Sequence, residues 1–221
     1  MSALATTESA WSKSIPLHHT DIPRTSALIQ PHSRGSLIPR GRALFWEGDT
    51  QAHKIEIVEG VVRAVRLFDN GNRQILAFFW SGDVVMPSQA DCQHFTAEAV
   101  TNCRVRLSAV SNICQSGERC GVHQVLAETL SLVSQISQKS GMARITSFLL
   151  TIRKHLPRDP KLPSAQRLLI SRADIADHVG TSLETVCRTL AELKARNLID
   201  MPNRKTIRFL DLPGLHHIAG D

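Results

Sequence analysis

The sequence predicts an α+β chain: an N-terminal antiparallel β-roll, a long helix behind it, and a C-terminal unit of short helices closed by a hairpin. Three observations predict it. Short alternating apolar runs fill residues 31–110, punctuated by Gly48, Gly60, Gly71 and Gly82 at intervals of 11 or 12 residues. The apolar period turns helical after residue 111. Near the C-terminus two capped helical segments meet at a glycine and lead into strand, turn and strand. The expected organisation is a tail over 1–30, the roll over 31–110, the long helix over 111–140 and the C-terminal unit over 141–221.

Residues 1–30 are rich in Ser, Thr, Ala and His without periodicity, the pattern of a loose tail. In the roll, alternation is plain in Ile55 and Ile57, in Val62, Ala64 and Arg66, and in Val105 and Leu107. Asp69, Asn70, Gly71 and Asn72 separate two such runs, and Asn-Gly is the favoured tight-turn dipeptide. From Gly121 to Gln138 there is no proline, and Leu126, Leu130, Val133 and Ile136 form one helical stripe. That stripe could pack on its own roll or form a two-fold seam with a second copy; a homodimer is the expectation. Ser140-Gly141 interrupts the helical pattern. A second helix over 142–155 then carries Ile145, Phe148, Leu149 and Ile152. It stops at Pro157, and RDPKLPSAQ reads as a turn or linker.

Hydrophobic residues make up 42% of the chain and charged ones 21%, enough to build a core. No apolar run spans a bilayer, and the N-terminus lacks the form of a secretory signal, so no membrane partner is expected. Five scattered cysteines argue against a disulfide framework and fit a reducing cytoplasm. The net charge of +6 is unevenly placed. Residues 1–140 hold 13 Lys/Arg against 12 Asp/Glu, and residues 141–221 hold 13 against 8. A basic excess in the last third suits a polyphosphate, though a solvated face would look the same.

The segment SRADIADHVGTSLETVCRTLAEL decides between them. Ser171 is placed to cap a short helix with Asp174 in its first turn, and Ile175 and Val179 point inward. Gly180 supplies the left-handed corner. Ser182 caps the next helix, whose buried face is expected to be Leu183, Val186, Leu190 and Leu193. This is a helix-turn-helix, whose second helix offers its first turns to the major groove of double-stranded DNA. NLIDMPNRKTIRFLD adds a wing with a turn at Pro202-Asn203. Arg204, Lys205 and Arg208 lie near its tip, as phosphate contacts or as edge charges that prevent aggregation.

The chain from about residue 37 resembles the CRP/FNR superfamily of transcription regulators, and GTSLETVCRTL is most similar to the FNR and FixK branch. That resemblance implies base contacts by Glu184, Cys187 and Arg188, with Leu183 where the CRP branch has a further guanine-reading Arg. It also implies a palindromic TTGA…TCAA-type site, and activation through RNA polymerase. Chemistry supports the pair independently: a guanidinium donates twice to guanine O6 and N7, and a carboxylate accepts from a base amino group. An ordinary surface ion pair is the plainer alternative. Thr181, Ser182 and Thr185 are hydroxyls near the same helix start, for phosphate contact or capping. Asp69, Asn70 and Gly71 are candidate polymerase contacts as well as a good turn.

The family's cyclic-nucleotide cassette is altered here. Met86-Pro87 stands at the Gly-Glu places and Gln93-His94 at the Arg-Ser places, so no cyclic nucleotide is expected. Cys92, Cys103, Cys114 and Cys120 are spaced unlike any usual cluster run, and no iron–sulfur cofactor is expected. Cys103 reads as a small buried hydrophobe. The pairs His18-His19 and His216-His217, and the single His53, make no metal site. No nucleophile–base constellation indicates an enzyme. Cys187 is the remaining reactive candidate: its oxidation to sulfinate or sulfonate would set a negative charge beside Arg188 and the phosphates, whereas an inert thiol would merely touch a base. A roll that binds haem or a small metabolite is the competing reading.

Overall fold

The computed structural model describes residues 35–50, 53–85, 92–109 and 121–220. The expected tail, Met86-Pro87, Cys114 and Cys120 lie outside them. Eight strands form the roll: β1 Ser36–Ile38, β2 Ala43–Phe45, β3 His53–Glu59, β4 Val62–Leu67, β5 Arg73–Phe79, β6 Val84–Val85, β7 Thr96–Ala99 and β8 Cys103–Ala109. They make two antiparallel four-stranded sheets, ordered β1-β8-β3-β6 and β2-β7-β4-β5. Their inner faces share one core, in which Phe95 lies 5.5 Å from Phe45 and 6.4 Å from Phe79 between ring centroids. Cys103 is buried there. The Asn-Gly turn closes as expected, with Phe68 donating to the Asn72 carbonyl at 2.9 Å and Gly71 at φ +79°.

Alternation in β4 breaks at Arg66. The ladder shifts register between Ala64 and Val65, and both are buried, Ala64 in the roll and Val65 on the opposite face. That opposite face is covered because the helices stand against it. Helix α1, Gly121–Gln138, and helix α2, Gly141–Arg153, follow the roll. Ser140 caps α2 by accepting from Ala143 N–H at 3.2 Å. The remaining elements are β9 Arg158–Asp159, β10 Leu162–Arg167, α3 Arg172–Val179, α4 Leu183–Ala195, β11 Ile199–Asn203, β12 Thr206–Phe209 and α5 Leu212–Ala219.

The segment expected as a linker is thus strand for much of its length. β10 pairs with β12 (Gln166 with Ile207, Arg167 with Thr206), and the wing becomes a four-stranded sheet ordered β11-β12-β10-β9. LPSAQR is too polar to announce itself; its pairing partner arrives forty residues later. No helix among the described residues is long and apolar enough to cross a membrane.

One hydrophobic cluster joins the outer face of the roll (Val65, Ile75, Phe78, Trp80) to the C-terminal unit (Ile145, Phe148, Ile175, Val179). Trp80 stacks on His155 of the α2 end, centroids 4.9 Å apart. The His178 ring lies between Phe78 and Phe148, at 5.3 and 4.8 Å. Its Nδ1 is 3.1 Å from the Ile75 carbonyl, which can only accept, so the proton sits on Nδ1.

Burial pushes His178 from its ordinary 6.5 down to about 4, against the Ile75 hydrogen bond. The folded chain therefore keeps His178 neutral while the unfolded chain protonates it below pH 6.5. Its contribution is present above that value and is lost as pH falls toward 4, by about 3 kcal/mol. Urea unfolding should show the loss between pH 7 and pH 4, with a shallower slope in His178→Gln.

Candidate nucleic-acid interface

The helix expected to read DNA is α4, and its start is built by local bonds the sequence encodes. Ser171 Oγ accepts from Asp174 N–H at 3.0 Å and begins α3. Gly180 ends it at φ +67°, ψ +54°, donating to the Ala176 carbonyl. Thr181 N–H also donates to Ala176 O, at 3.0 Å. Ser182 then caps α4, its Oγ accepting from Thr185 N–H at 3.1 Å and lying 2.9 Å from the Thr185 hydroxyl. Val186, Leu190 and Leu193 are buried, as is Thr189.

Leu183 departs from the expected buried face: it is half exposed. As the first residue of α4 it stands beyond the corner, where α3 no longer covers it. Its exposure puts it on the same open end as Glu184 and Arg188, whose side chains are 83% and 69% exposed. These two form a loose i,i+4 pair at 3.9 Å between Arg188 Nη1 and Glu184 Oε1. A pair so open leaves both groups most of their hydrogen-bonding capacity for another partner. Cys187 is half-buried beside them, and the guanidinium that touches it is Arg172 Nη1, 3.4 Å from Sγ. Arg172 starts α3 and was not singled out from sequence; only its place one residue after the cap hints at it.

The wing turn falls at Arg204-Lys205, two residues beyond Pro202-Asn203. Asn203 Oδ1 accepts from Lys205 N–H at 2.8 Å and fixes the tip, while Pro202 is accommodated in the edge strand β11. Arg204 and Lys205 are exposed there. Arg208 instead turns back to Asp200, at 3.5 Å. Between wing and roll runs an open groove of about 420 Å³ lined by Arg40, Asn102, Arg167, Arg172, Arg204 and Lys205.

Asp174 is the residue whose role the local reading missed. Read as a capping acid, its carboxylate is turned away from the α3 start and buried against Arg63 Nη1 and Arg73 Nη2, the latter at 2.8 Å. Those partners lie 111 and 101 residues earlier in the chain, and no local pattern encodes them. Arg144 was also missed. Its guanidinium donates to the carbonyls of Lys139 (3.0 Å), Val179 (3.0 Å) and Gly180 (3.2 Å), tying the α1–α2 junction to the helix-turn-helix corner.

On α1, Leu126, Leu130 and Val133 are exposed, whereas Leu132 is buried and Val125 packs on the roll. The side chain of Ile136 lies outside the described residues. Asp69, Asn70 and Gly71 are exposed at the β4–β5 tip, beside the half-exposed Leu67 and Phe68.

The family model described as the Crp-like helix-turn-helix domain matches residues 143–218. The chain is 28% identical over 205 residues to the nitrogen fixation regulation protein FixK of Azorhizobium caulinodans, covering 88% of this chain and 83% of that protein. It is 28% identical over 186 residues to FixK of Rhizobium meliloti, covering 81% and 84%. The solved structure of FixK2 from Bradyrhizobium japonicum has the same fold, with a TM-score of 0.70 at 23% identity, covering 83% of this chain and 95% of that one.

Because Gly180 sits in the left-handed region, Gly180→Ala should cost about 1–2 kcal/mol. Chemical denaturation checks it, and no change would mean that the corner relaxes.

Proposed function

For a chain that belongs to the CRP/FNR family of DNA-binding transcription regulators, on its FixK-like side, and not to an enzyme family, we propose a homodimer that binds a TTGA-N6-TCAA-like palindrome without cyclic nucleotide or iron–sulfur cluster. The observation that carries this reading is the exposed Glu184–Arg188 pair on the first turns of α4. Arg188 reads guanine through O6 and N7, and Glu184 accepts from a base amino group while holding the guanidinium in plane. Leu183 and Cys187 flank them, and Thr181, Ser182, Thr185, Arg204 and Lys205 contact the backbone. The Ser182 and Thr185 hydroxyls are already bonded to each other, which favours a capping role for Ser182.

The exposed Leu126 and Leu130 support the two-fold seam, since large apolar side chains side by side on water favour a covering partner. The packed aromatic interior of the roll supports independence from a ligand. Oxidation of Cys187, held against Arg172, places a new negative charge among cations that otherwise meet phosphate and weakens binding. The β4–β5 tip at Asp69, Asn70 and Gly71 is offered to RNA polymerase in activation.

Selection from random duplexes by the effector-free protein should recover the palindrome. In Glu184→Ala with Arg188→Ala, discrimination at the contacted bases should fall by about 1–3 kcal/mol per lost contact. Sequence preference surviving in the double variant would remove the reading. Leu126→Asp with Leu130→Asp should give monomers by sedimentation, and peroxide should weaken binding in the parent but not in Cys187→Ala.

A further inference from the structure

The α3 helix touches no base in the reading above, yet it carries the densest cluster of charged contacts that the structure shows outside α4. Arg63 of β4 donates through Nη1 to Asp174 Oδ1 and through Nη2 to Glu98 at 2.8 Å. Arg73 of β5 donates through Nη2 to the same Asp174 oxygen at 2.8 Å and through Nε to Asp177 Oδ2 at 2.5 Å. The side chains of Asp174 and Arg63 are 5% and 12% exposed. Two neutral bonds complete the contact: Gln74 Nε2 to the His178 carbonyl at 3.1 Å, and His178 Nδ1 to the Ile75 carbonyl.

We propose that Arg63 and Arg73 are positioning residues for DNA reading: with Asp174 and Asp177 they clasp α3 to the roll, so that the roll aims α4. This rests on the functional reading above and adds a task for a roll that receives no ligand. Ion pairs removed from water are a poor source of stability, because desolvation offsets their attraction, but they tolerate few alternative geometries. Apolar contacts between Phe78, Phe148 and Val179 hold the two units together; the charges fix their orientation. The forked guanidinium is suited to this, since each arm has its own acceptor and rotation would break one of them. The clasp engages the face of α3 turned to the roll, while Glu184 and Arg188 on α4 stay open. It therefore holds a state able to bind.

The test uses the full-length protein and a duplex carrying the sequence that the wild type selects. Arg73→Ala should weaken binding about tenfold, the range of ordinary site-to-site coupling. The dependence of affinity on salt should be unchanged, because no phosphate contact is lost. Arg73→Glu should weaken it further, and Arg73→Glu with Asp177→Arg should restore it, Asp174 keeping Arg63. Unfolding midpoints and sedimentation identify folded dimers, and Asp177→Asn, at a partly exposed carboxylate, is read if Arg73→Ala does not fold. Unchanged affinity in folded variants, or a gain, overturns the clasp. So does a salt slope reduced by about 0.9, which would make Arg73 a phosphate contact. A wild type that selects no duplex removes the functional reading and the clasp with it; a wild type that selects one while variants match it removes the clasp alone.

Discussion

Strand β5 is the outer strand of its sheet, and the way its edge is covered organises the molecule. An edge presents unpaired N–H and C=O groups that must find water or a partner, and left open they recruit other strands. Here side chains from two different helices take them. Phe78 N–H donates to Glu128 of α1 at 3.3 Å, and the Ile75 carbonyl accepts from His178 of α3. Two residues of one strand thus meet both the long helix and the first helix of the helix-turn-helix. His178 can serve only as a neutral donor in that apolar setting, so the backbone requirement of the roll and the protonation state of a distant helix are a single condition.

The same contact sorts charge. The carboxylates of α3 face the roll, where Arg63 and Arg73 neutralise them. The groove between wing and roll, by contrast, is lined by Arg40, Arg167, Arg172, Arg204 and Lys205. Had Asp174 and Asp177 faced outward, they would have stood near phosphates and cost affinity by repulsion. The excess of five positive charges over residues 141–221, counted in the sequence, understates the field on that side, because part of the acid it subtracts is turned inward. Glu184 is a carboxylate left exposed at the start of α4, where the proposed acceptance from a base would use it.

What the sequence made legible was local. Ser171, Gly180 and Ser182 announce their caps because each bond spans three or four residues, and Asn70-Gly71 announces its turn for the same reason. What stayed hidden depended on distant partners. Asp174 looks like a capping acid until Arg63 and Arg73 are brought beside it by the fold. Val65 looks like a solvent-facing position until helices cover the second face of β4. The polar β10 becomes a strand because β12 supplies its ladder. Leu183 obeys the helical spacing of a core position, yet it lies past the corner, where spacing says nothing about what covers it.

Helix α1 has two apolar faces, and among the described residues only one of them is covered. Leu132 is buried and Val125 packs on the roll, whereas Leu126 and Leu130 are exposed. A helix apolar on both sides asks for a partner on each, and in the proposed homodimer a second copy of α1 would supply the other by symmetry. In that proposed dimer the two α4 helices would stand about 34 Å apart to enter successive major grooves on one side of the duplex. That separation depends on everything between α1 and α4, including the break between α1 and α2 at Ser140-Gly141. Arg144 bridges it, with one nitrogen on the Lys139 carbonyl just past α1 and two on the carbonyls of the corner before α4. A guanidinium holding three carbonyls across a break between helices makes the break rigid, and a rigid break is what a fixed half-site spacing requires.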